Sequence, residues 1–176
     1  MGLGEVELKK AKPAHLKSLL SKLREVGVLI DESESGIYCK APENVKAVNI
    51  TTAPYPGFPT DLQAQWMTLM CLAKGSSIIT DNIFFDRFTH VAELRRLGAN
   101  IELNENVAII HGIDNLNGAP VMSTDLRASA CLVLAGLVAK GRTDILRVYH
   151  LDRGYEKIEN KLKNLGADIW REDGGL

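Results

Sequence analysis

Cysteine is scarce in this 176-residue sequence. Its three cysteines, Cys39, Cys71 and Cys131, are odd in number and far apart, which fits neither a disulfide framework nor a thiolate zinc site. Cys71 and Cys131 fall inside apolar helical runs and read as buried core thiols rather than reactive ones. An excess of charge of one sign is also missing. The 21 Lys and Arg residues against 22 Asp and Glu leave a formal charge of −1, so nothing electrostatic argues for nucleic acid or an anionic membrane surface. Any anion must be met by placed rather than massed basic residues. No apolar run approaches the ~20 residues that span a bilayer, and Met1-Gly2-Leu3-Gly4-Glu5 has no basic start followed by an apolar stretch. The chain therefore reads as cytoplasmic, with no leader. His15, His90, His111 and His150 show no metal-ligand spacing, so no metal is expected. Walker, GxGxxG and GxSxG loops are absent, which removes the common nucleotide and nucleophilic-serine signatures.

What is present is a Thr-Asp pair, twice, at the mouth of an apolar helix. One copy is Thr60-Asp61-Leu62-Gln63-Ala64-Gln65, the other Thr124-Asp125-Leu126-Arg127-Ala128-Ser129-Ala130. An oxygen-bearing side chain there accepts hydrogen bonds from the first unpaired N–H groups, and an acid suits the helix dipole, so each Asp reads first as a cap. In the later copy the small residues behind Arg127 let free N–H groups and a guanidinium approach something anionic together, which makes this the place where chemistry is expected.

The two copies belong to a longer recurrence. A strand over 4–9 is followed by a helix opened by Pro13 and stopped at Gly27, and a polar turn over 31–35 joins two short strands. A strand over 45–52, a stiff Pro-rich loop over 53–59, a helix over 62–74 with Trp66 in its core face, a strand over 77–80, a helix over 89–97 and a hairpin from 101 to 110 come next. The order then restarts: a strand over 120–122, a helix over 126–140, a strand over 144–148, a loop through Asp152-Arg153-Gly154 and a helix over 155–165. Asp61 and Asp125 lie 64 residues apart, Arg87 and Arg153 lie 66 apart, and Gly98 and Gly166 lie 68 apart. Mixed units of this length are too long for the common solenoids, whose repeats run ~20–50 residues. They imply a few β-α-β-α-β-β units closed round a pseudo-rotation axis. One lobe over 1–176 is expected, with a partial first repeat at 4–44, a second at 45–112 and an incomplete third at 113–176; both ends look cut, as in a piece of a longer protein.

If equivalent loops meet near such an axis, Asp61, Arg87, Asp125, Arg127 and Arg153 line one mouth. The planar fork of Arg pairs with phosphate or carboxylate, while an Asp can move a proton. Taken singly, each Thr-Asp is also a plain cap and each loop Asp-Arg a surface ion pair worth ~0–1 kcal/mol. Residue pattern by itself reaches an anion-handling α/β protein.

Four stretches in order carry a resemblance: Thr52-Ala53-Pro54-Tyr55-Pro56-Gly57-Phe58-Pro59-Thr60-Asp61, Phe84-Phe85-Asp86-Arg87-Phe88-Thr89-His90-Val91, Thr124-Asp125-Leu126-Arg127-Ala128-Ser129-Ala130 and Tyr149-His150-Leu151-Asp152-Arg153-Gly154-Tyr155-Glu156. Over nearly the whole chain these resemble the bacterial enolpyruvyl transferase family, in its branch acting on UDP-N-acetylglucosamine. The resemblance implies an inside-out α/β barrel of repeated units, a fold shared in outline with RNA-phosphate cyclases. This chain looks like most of the C-terminal lobe, completed by the family's own N-terminal segment. The other lobe, with a Lys-Asn pair and a mobile loop bearing a catalytic Cys, would be missing, and none of the three cysteines here matches that Cys.

The implied reaction transfers the enolpyruvyl group of phosphoenolpyruvate to the 3-hydroxyl of UDP-N-acetylglucosamine with release of phosphate. It is the first committed step of peptidoglycan precursor synthesis, on which cell wall, cell shape and cell division depend. By that resemblance Asp61 contacts the sugar 3-hydroxyl and takes its proton, Ile83 binds the nucleotide sugar, Phe84 and Arg87 match substrate-binding loop residues beside it, Asp125 assists proton transfer with phosphoenolpyruvate, and Arg127 and Arg153 clamp its phosphate and carboxylate. Phe85 and Asp86 depart from the family's usual Glu-Asn. No cofactor is implied, and the fragment by itself is expected to be inactive. The competing readings are a transferase acting on shikimate 3-phosphate and a non-catalytic binding module on the same fold.

Overall fold

The structure, a computed structural model, describes residues 4–172. Residues 1–3, part of the start read as carrying no leader, and residues 173–176 of the expected third repeat lie outside the described residues. β1 (Glu5–Lys9) leads through a 3-10 turn at Pro13–His15 to α1 (Lys17–Glu25) and the hairpin of β2 (Leu29–Ser33) and β3 (Gly36–Lys40). Next come β4 (Ile50–Thr51), a 3-10 turn at Thr60–Leu62, α2 (Gln63–Cys71), β5 (Ser76–Thr80), α3 (His90–Arg96), β6 (Asn100–Asn104) and β7 (Val107–His111). The described chain closes with β8 (Pro120–Met122), α4 (Leu126–Val138), β9 (Asp144–Leu146), α5 (Tyr149–Asp152) and α6 (Ile158–Asn164).

The strands form three sheets, ordered β1-β3-β2, β4-β5-β7-β6 and β8-β9. In the largest, β4 and β5 are parallel and the β5, β7, β6 set is antiparallel. The first sheet repeats the antiparallel set and the third repeats the parallel pair. The helix ends repeat as well. Gly27, Gly98 and Gly166 all take the left-handed conformation, at φ 106°, 93° and 93°, which a Cβ would make costly. The next N–H then reaches five residues back in each case: Val28 to the Leu23 carbonyl at 3.0 Å, Ala99 to Leu94 at 3.0 Å and Ala167 to Leu162 at 3.1 Å. Seams between units recur too. Lys46 N–H bonds the Val26 carbonyl at 3.1 Å as Asn117 N–H bonds that of Leu97 at 2.8 Å.

The helices are inside and the sheets outside. α2 buries Trp66, Met67, Thr68, Met70 and Cys71, and α4 buries Cys131, Leu132, Val133 and Ala135. A helix apolar on nearly every side must be enclosed. The two pack against each other, and the Thr68 hydroxyl donates to the Cys131 carbonyl at 3.2 Å. The sheets keep an outer face in water, on which Leu29 and Ile78 are exposed. This is the inside-out α/β arrangement that the resemblance implies. Trp66 is in the core, and burial pushes the Cys71 thiol up to about 12 and that of Cys131 upward as well.

Several expectations about elements change. The strand expected over 45–52 shrinks to two residues, because the Asn49 side chain takes the Ile78 N–H at 2.8 Å and Val48 N–H turns to the Met70 sulfur at 3.3 Å. The polar turn at 31–35 is only Glu34-Ser35, since pairing runs on to Ser33 and Gly36. The helix opened by Pro13 divides into the 3-10 turn and α1, and the helix over 62–74 stops at Cys71. The helix expected over 155–165 shortens to α6, and α5 forms ahead of it, running into the loop expected through Asp152. Between them Gly154 lies so close to α4 that an added Cβ would sit 2.9 Å from Leu126 Cδ2, which pins the chain against the mouth of that helix.

β9 pairs with β8 on one edge and, among the described residues, with no strand on the other. The equivalent edge of β5 carries β7, with β6 beyond it. Here a cleft of about 890 Å³ separates β9 from residues 168–172, bordered by Ile145, Arg147, Ile169 and Trp170.

His90 begins α3 in the core, 2% exposed, with Nε2 3.2 Å from the Met67 sulfur and its ring stacked on Phe88. Burial pushes its pKa down to about 4, against the pull of the Asp125 carboxylate. Between pH 6.5 and 4 an unfolded chain takes up a proton at this imidazole that the folded chain refuses, so stability rises with pH across that window. Denaturant midpoints measured from pH 7 to 4 will fall by the equivalent of up to roughly 3 kcal/mol from this group, and His90→Phe will flatten that slope.

Candidate functional site

The two Thr-Asp pairs face each other at the aligned N-terminal ends of α2 and α4, and they do different work. Asp125 is a helix cap. Its backbone is extended (φ −156°, ψ 175°), and its Oδ1 accepts the N–H groups of Arg127 at 2.8 Å and Ala128 at 3.0 Å. Oδ2 accepts the Thr89 hydroxyl at 3.3 Å. Burial pushes this carboxyl up, but the Ala128 and Arg127 amides, the Thr89 hydroxyl and the neighbouring His90 hold it below the usual carboxylate range. The N–H groups expected to be free for an anion are thus occupied by the chain's own acid.

Asp61 caps nothing. It lies in the 3-10 turn, and α2 begins without a side-chain cap. Its carboxylate projects into solvent, 64% exposed, and Oδ1 accepts Arg127 Nε at 2.6 Å with a second Arg127 nitrogen in contact. Arg87 Nη1 stands 3.6 Å from the same oxygen. Arg87 is held from two sides: its guanidinium lies 3.8 Å above the Phe84 ring centre, and Nη1 donates to the Thr60 hydroxyl at 3.0 Å. Ion pairs this open to water contribute only ~0–1 kcal/mol, so the grouping is fixed by the elements that bear it.

Sequence reasoning missed Asp81. This carboxylate is fully buried and accepts four hydrogen bonds: from the Thr52 hydroxyl at 2.7 Å, the Thr60 hydroxyl at 2.7 Å, Ile83 N–H at 2.9 Å and Phe84 N–H at 3.0 Å. Burial pushes it up, but the bonds from Phe84, Thr52, Thr60 and Ile83 outweigh that and hold it below the usual range. A signal existed, since an Asp directly after a strand and before Asn82 is the start of an Asx turn, whose side chain accepts N–H groups two and three residues on.

Ile83 and Phe84 are therefore fixed by their backbones, with the Phe84 ring half exposed. Phe85 is 65% exposed and Asp86 is exposed. Arg153 follows α5 at the surface and makes no side-chain hydrogen bond or ion pair with the other described residues; its neighbour Asp152 pairs instead with Arg171 at 2.7 Å. What brings Arg153 near the site is the adjoining Gly154, packed on Leu126 beside the α4 cap. The structure thus joins Asp61, Arg87 and Arg127 directly and Asp125 through the Arg127 backbone, and it leaves Arg153 near but unlinked. An exposed carboxylate beside two guanidiniums can accept a proton from a hydroxyl and hold a phosphate or carboxylate.

The sequence profile for EPSP synthase (3-phosphoshikimate 1-carboxyvinyltransferase) matches residues 1–162. Curated relatives include the UDP-N-acetylglucosamine 1-carboxyvinyltransferases of Chlorobium chlorochromatii and Myxococcus xanthus, each 58% identical over 169 residues, covering 96% of this chain. The chain spans 40% of the length of those relatives. Among solved structures, the enolpyruvyl transferase NikO from Streptomyces tendae superposes with a TM-score of 0.79 at 29% identity, over 87% of this chain and 36% of its own. The fold of EPSP synthase from Acinetobacter baumannii also matches, with a TM-score of 0.61 at 18% identity over 82% of this chain and 36% of its own. In repeat architecture, profile and sequence alike, the chain belongs to the enolpyruvyl transferase family.

Proposed function

We propose that the chain is most of one lobe of an enzyme that transfers the enolpyruvyl group of phosphoenolpyruvate to the 3-hydroxyl of UDP-N-acetylglucosamine, releasing phosphate for peptidoglycan precursor synthesis in the cytoplasm. The observation that carries this reading is the meeting of Asp61, Arg87 and Arg127, from three segments, at the mouth of α2 and α4. The 58% identity to relatives bearing the sugar-nucleotide name supports the acceptor.

The reaction adds an alcohol across an enol double bond and then eliminates phosphate. It needs a base at the hydroxyl, a proton donor at the methylene carbon and cations for the leaving group. Asp61, the exposed acid, accepts the hydroxyl proton; Ile83, Phe84 and Arg87 hold the nucleotide sugar beside it. Arg127 and Arg153 take the phosphate and carboxylate of phosphoenolpyruvate, and Arg127 exchanges its contact with Asp61 for one with substrate. Asp125, kept ionised by its hydrogen bonds, suits the second half of the reaction, in which a proton leaves the new methyl group and phosphate departs. The donor for the first half belongs to the opposite lobe. The open edge of β9 and the strand-wide cleft beside it argue that the rest of the protein also supplies a strand to this lobe.

Calorimetric titration of the complete protein will give heat with UDP-N-acetylglucosamine and none with shikimate 3-phosphate; the reverse result overturns the acceptor. The 176-residue chain by itself will show no phosphate release from the two substrates, since reacting atoms held from one side stay in water. In the complete protein Asp61→Asn will lose most turnover while unfolding at an unchanged temperature. Asp125→Ala will lose turnover together with ~0.5–2 kcal/mol of stability, the worth of a helix cap. Normal turnover in Asp61→Asn would reduce that residue to an ion-pair partner.

A further inference from the structure

We propose that Asp81 is the positioning residue for the acceptor side of the site, holding the turn that bears Asp61 and the loop from Ile83 to Arg87 in register through one buried carboxylate. This rests on the functional reading above in taking those residues as the acceptor site. Three segments far apart in sequence end on the same two oxygens. Thr52 closes β4, Thr60 precedes Asp61, and the Ile83 and Phe84 amides begin the loop. Asp81 is itself anchored, because its N–H bonds the Asn106 carbonyl at 2.9 Å and its carbonyl accepts Asn106 Nδ2 at 3.1 Å.

The link reaches the charged rim through one hydroxyl. Thr60 donates its only proton to Asp81 Oδ2, so its lone pairs face outward and accept Arg87 Nη1 at 3.0 Å. Arg87 in turn stands beside Asp61. An amide in place of the carboxylate cannot keep this arrangement. If its NH2 faces Oδ1's three donors, all three are opposed. If it faces Thr60, that hydroxyl must turn, and its proton then competes with the Arg87 hydrogen bond. The groups assigned to phosphoenolpyruvate hang on other supports: Arg127 on the α4 cap at Asp125, and Arg153 on the Gly154 contact with Leu126. Disturbing Asp81 therefore touches one substrate and spares the other, which a general loss of packing would not do.

Steady-state kinetics of the complete protein test this, run with UDP-N-acetylglucosamine and, in parallel, shikimate 3-phosphate, so that a wrong acceptor strikes the functional reading and the inference is scored on whichever acceptor turns over. Asp81→Asn and the isosteric Thr60→Val are each expected to raise the acceptor KM roughly tenfold, as for loss of a charge-assisted hydrogen bond. The phosphoenolpyruvate KM should stay within about twofold, and Thr60→Ser, which restores the hydroxyl, should recover most of the acceptor loss. Equal rises in both KM values, an unmoved acceptor KM, or no recovery by serine would each overturn the inference.

Discussion

Two helices with almost no polar surface set the plan of this molecule. α2 and α4 are apolar on nearly every side, so they lie against each other in the middle and the sheets take the outside. Fully burying a side chain such as Met67, Met70 or Leu132 stabilises by about 1.5–3 kcal/mol each, and the Thr68 to Cys131 hydrogen bond fixes how the two helices sit. Because the helices run the same way, their N-terminal ends open together. Asp61 and Arg127, 66 residues apart, meet there as a by-product of core packing. The ion pairs that join them are weak by comparison, so the rim inherits its geometry from the core instead of making it.

Much of this plan can be read from the sequence, and for a definite reason. A helix stop such as Leu97-Gly98-Ala99 specifies its own backbone locally, so three such stops at similar spacing announce three units, and the hydrogen bonds at Gly27, Gly98 and Gly166 agree. The two Thr-Asp pairs show where local pattern stops being informative. Both have cap chemistry, yet only Asp125 is in the extended conformation that turns its oxygens onto the helix N–H groups. The Thr60–Leu62 turn rotates Asp61 away from α2, toward a guanidinium that arrives from α4. Nothing near Asp61 in sequence encodes that partner. Asp81 was passed over in part for the same cause: the Asx turn marks it locally, but its two hydroxyl donors come from Thr52 and Thr60, far off in sequence.

The three acids form a gradation in which environment divides the labour. Asp81 is enclosed and fully satisfied, Asp125 is half enclosed and tied to α4, and Asp61 is open. Hydrogen bonds from fixed donors favour the ionised form and resist any change of partner. A group enclosed on every side, as Asp81 is, is suited to holding structure and poorly suited to exchanging protons, whereas Asp125 keeps its Oδ2 at the rim. The acid free to change partners is the exposed one, whose neighbours are the long side chains of Arg87 and Arg127. Position along this series, more than residue type, separates the enclosed support, Asp81, from the two acids at the rim.

The same reasoning explains why a rim of this kind needs a second wall. In water the attraction between Asp61 and its two arginines is largely screened, and a phosphate arriving at Arg127 would compete with an acid already there. Covering the rim lowers the local dielectric, strengthens every such contact and excludes the water that would otherwise solvate a leaving phosphate. On the proposed function the cover would also offer charge of its own, because the two acids and two arginines that meet here cancel one another and leave a dianion unbalanced. On the proposed function, an open face with weakly held charges on tightly held supports would suit one half of a closing site: the supports keep the geometry while the charges remain available for a substrate.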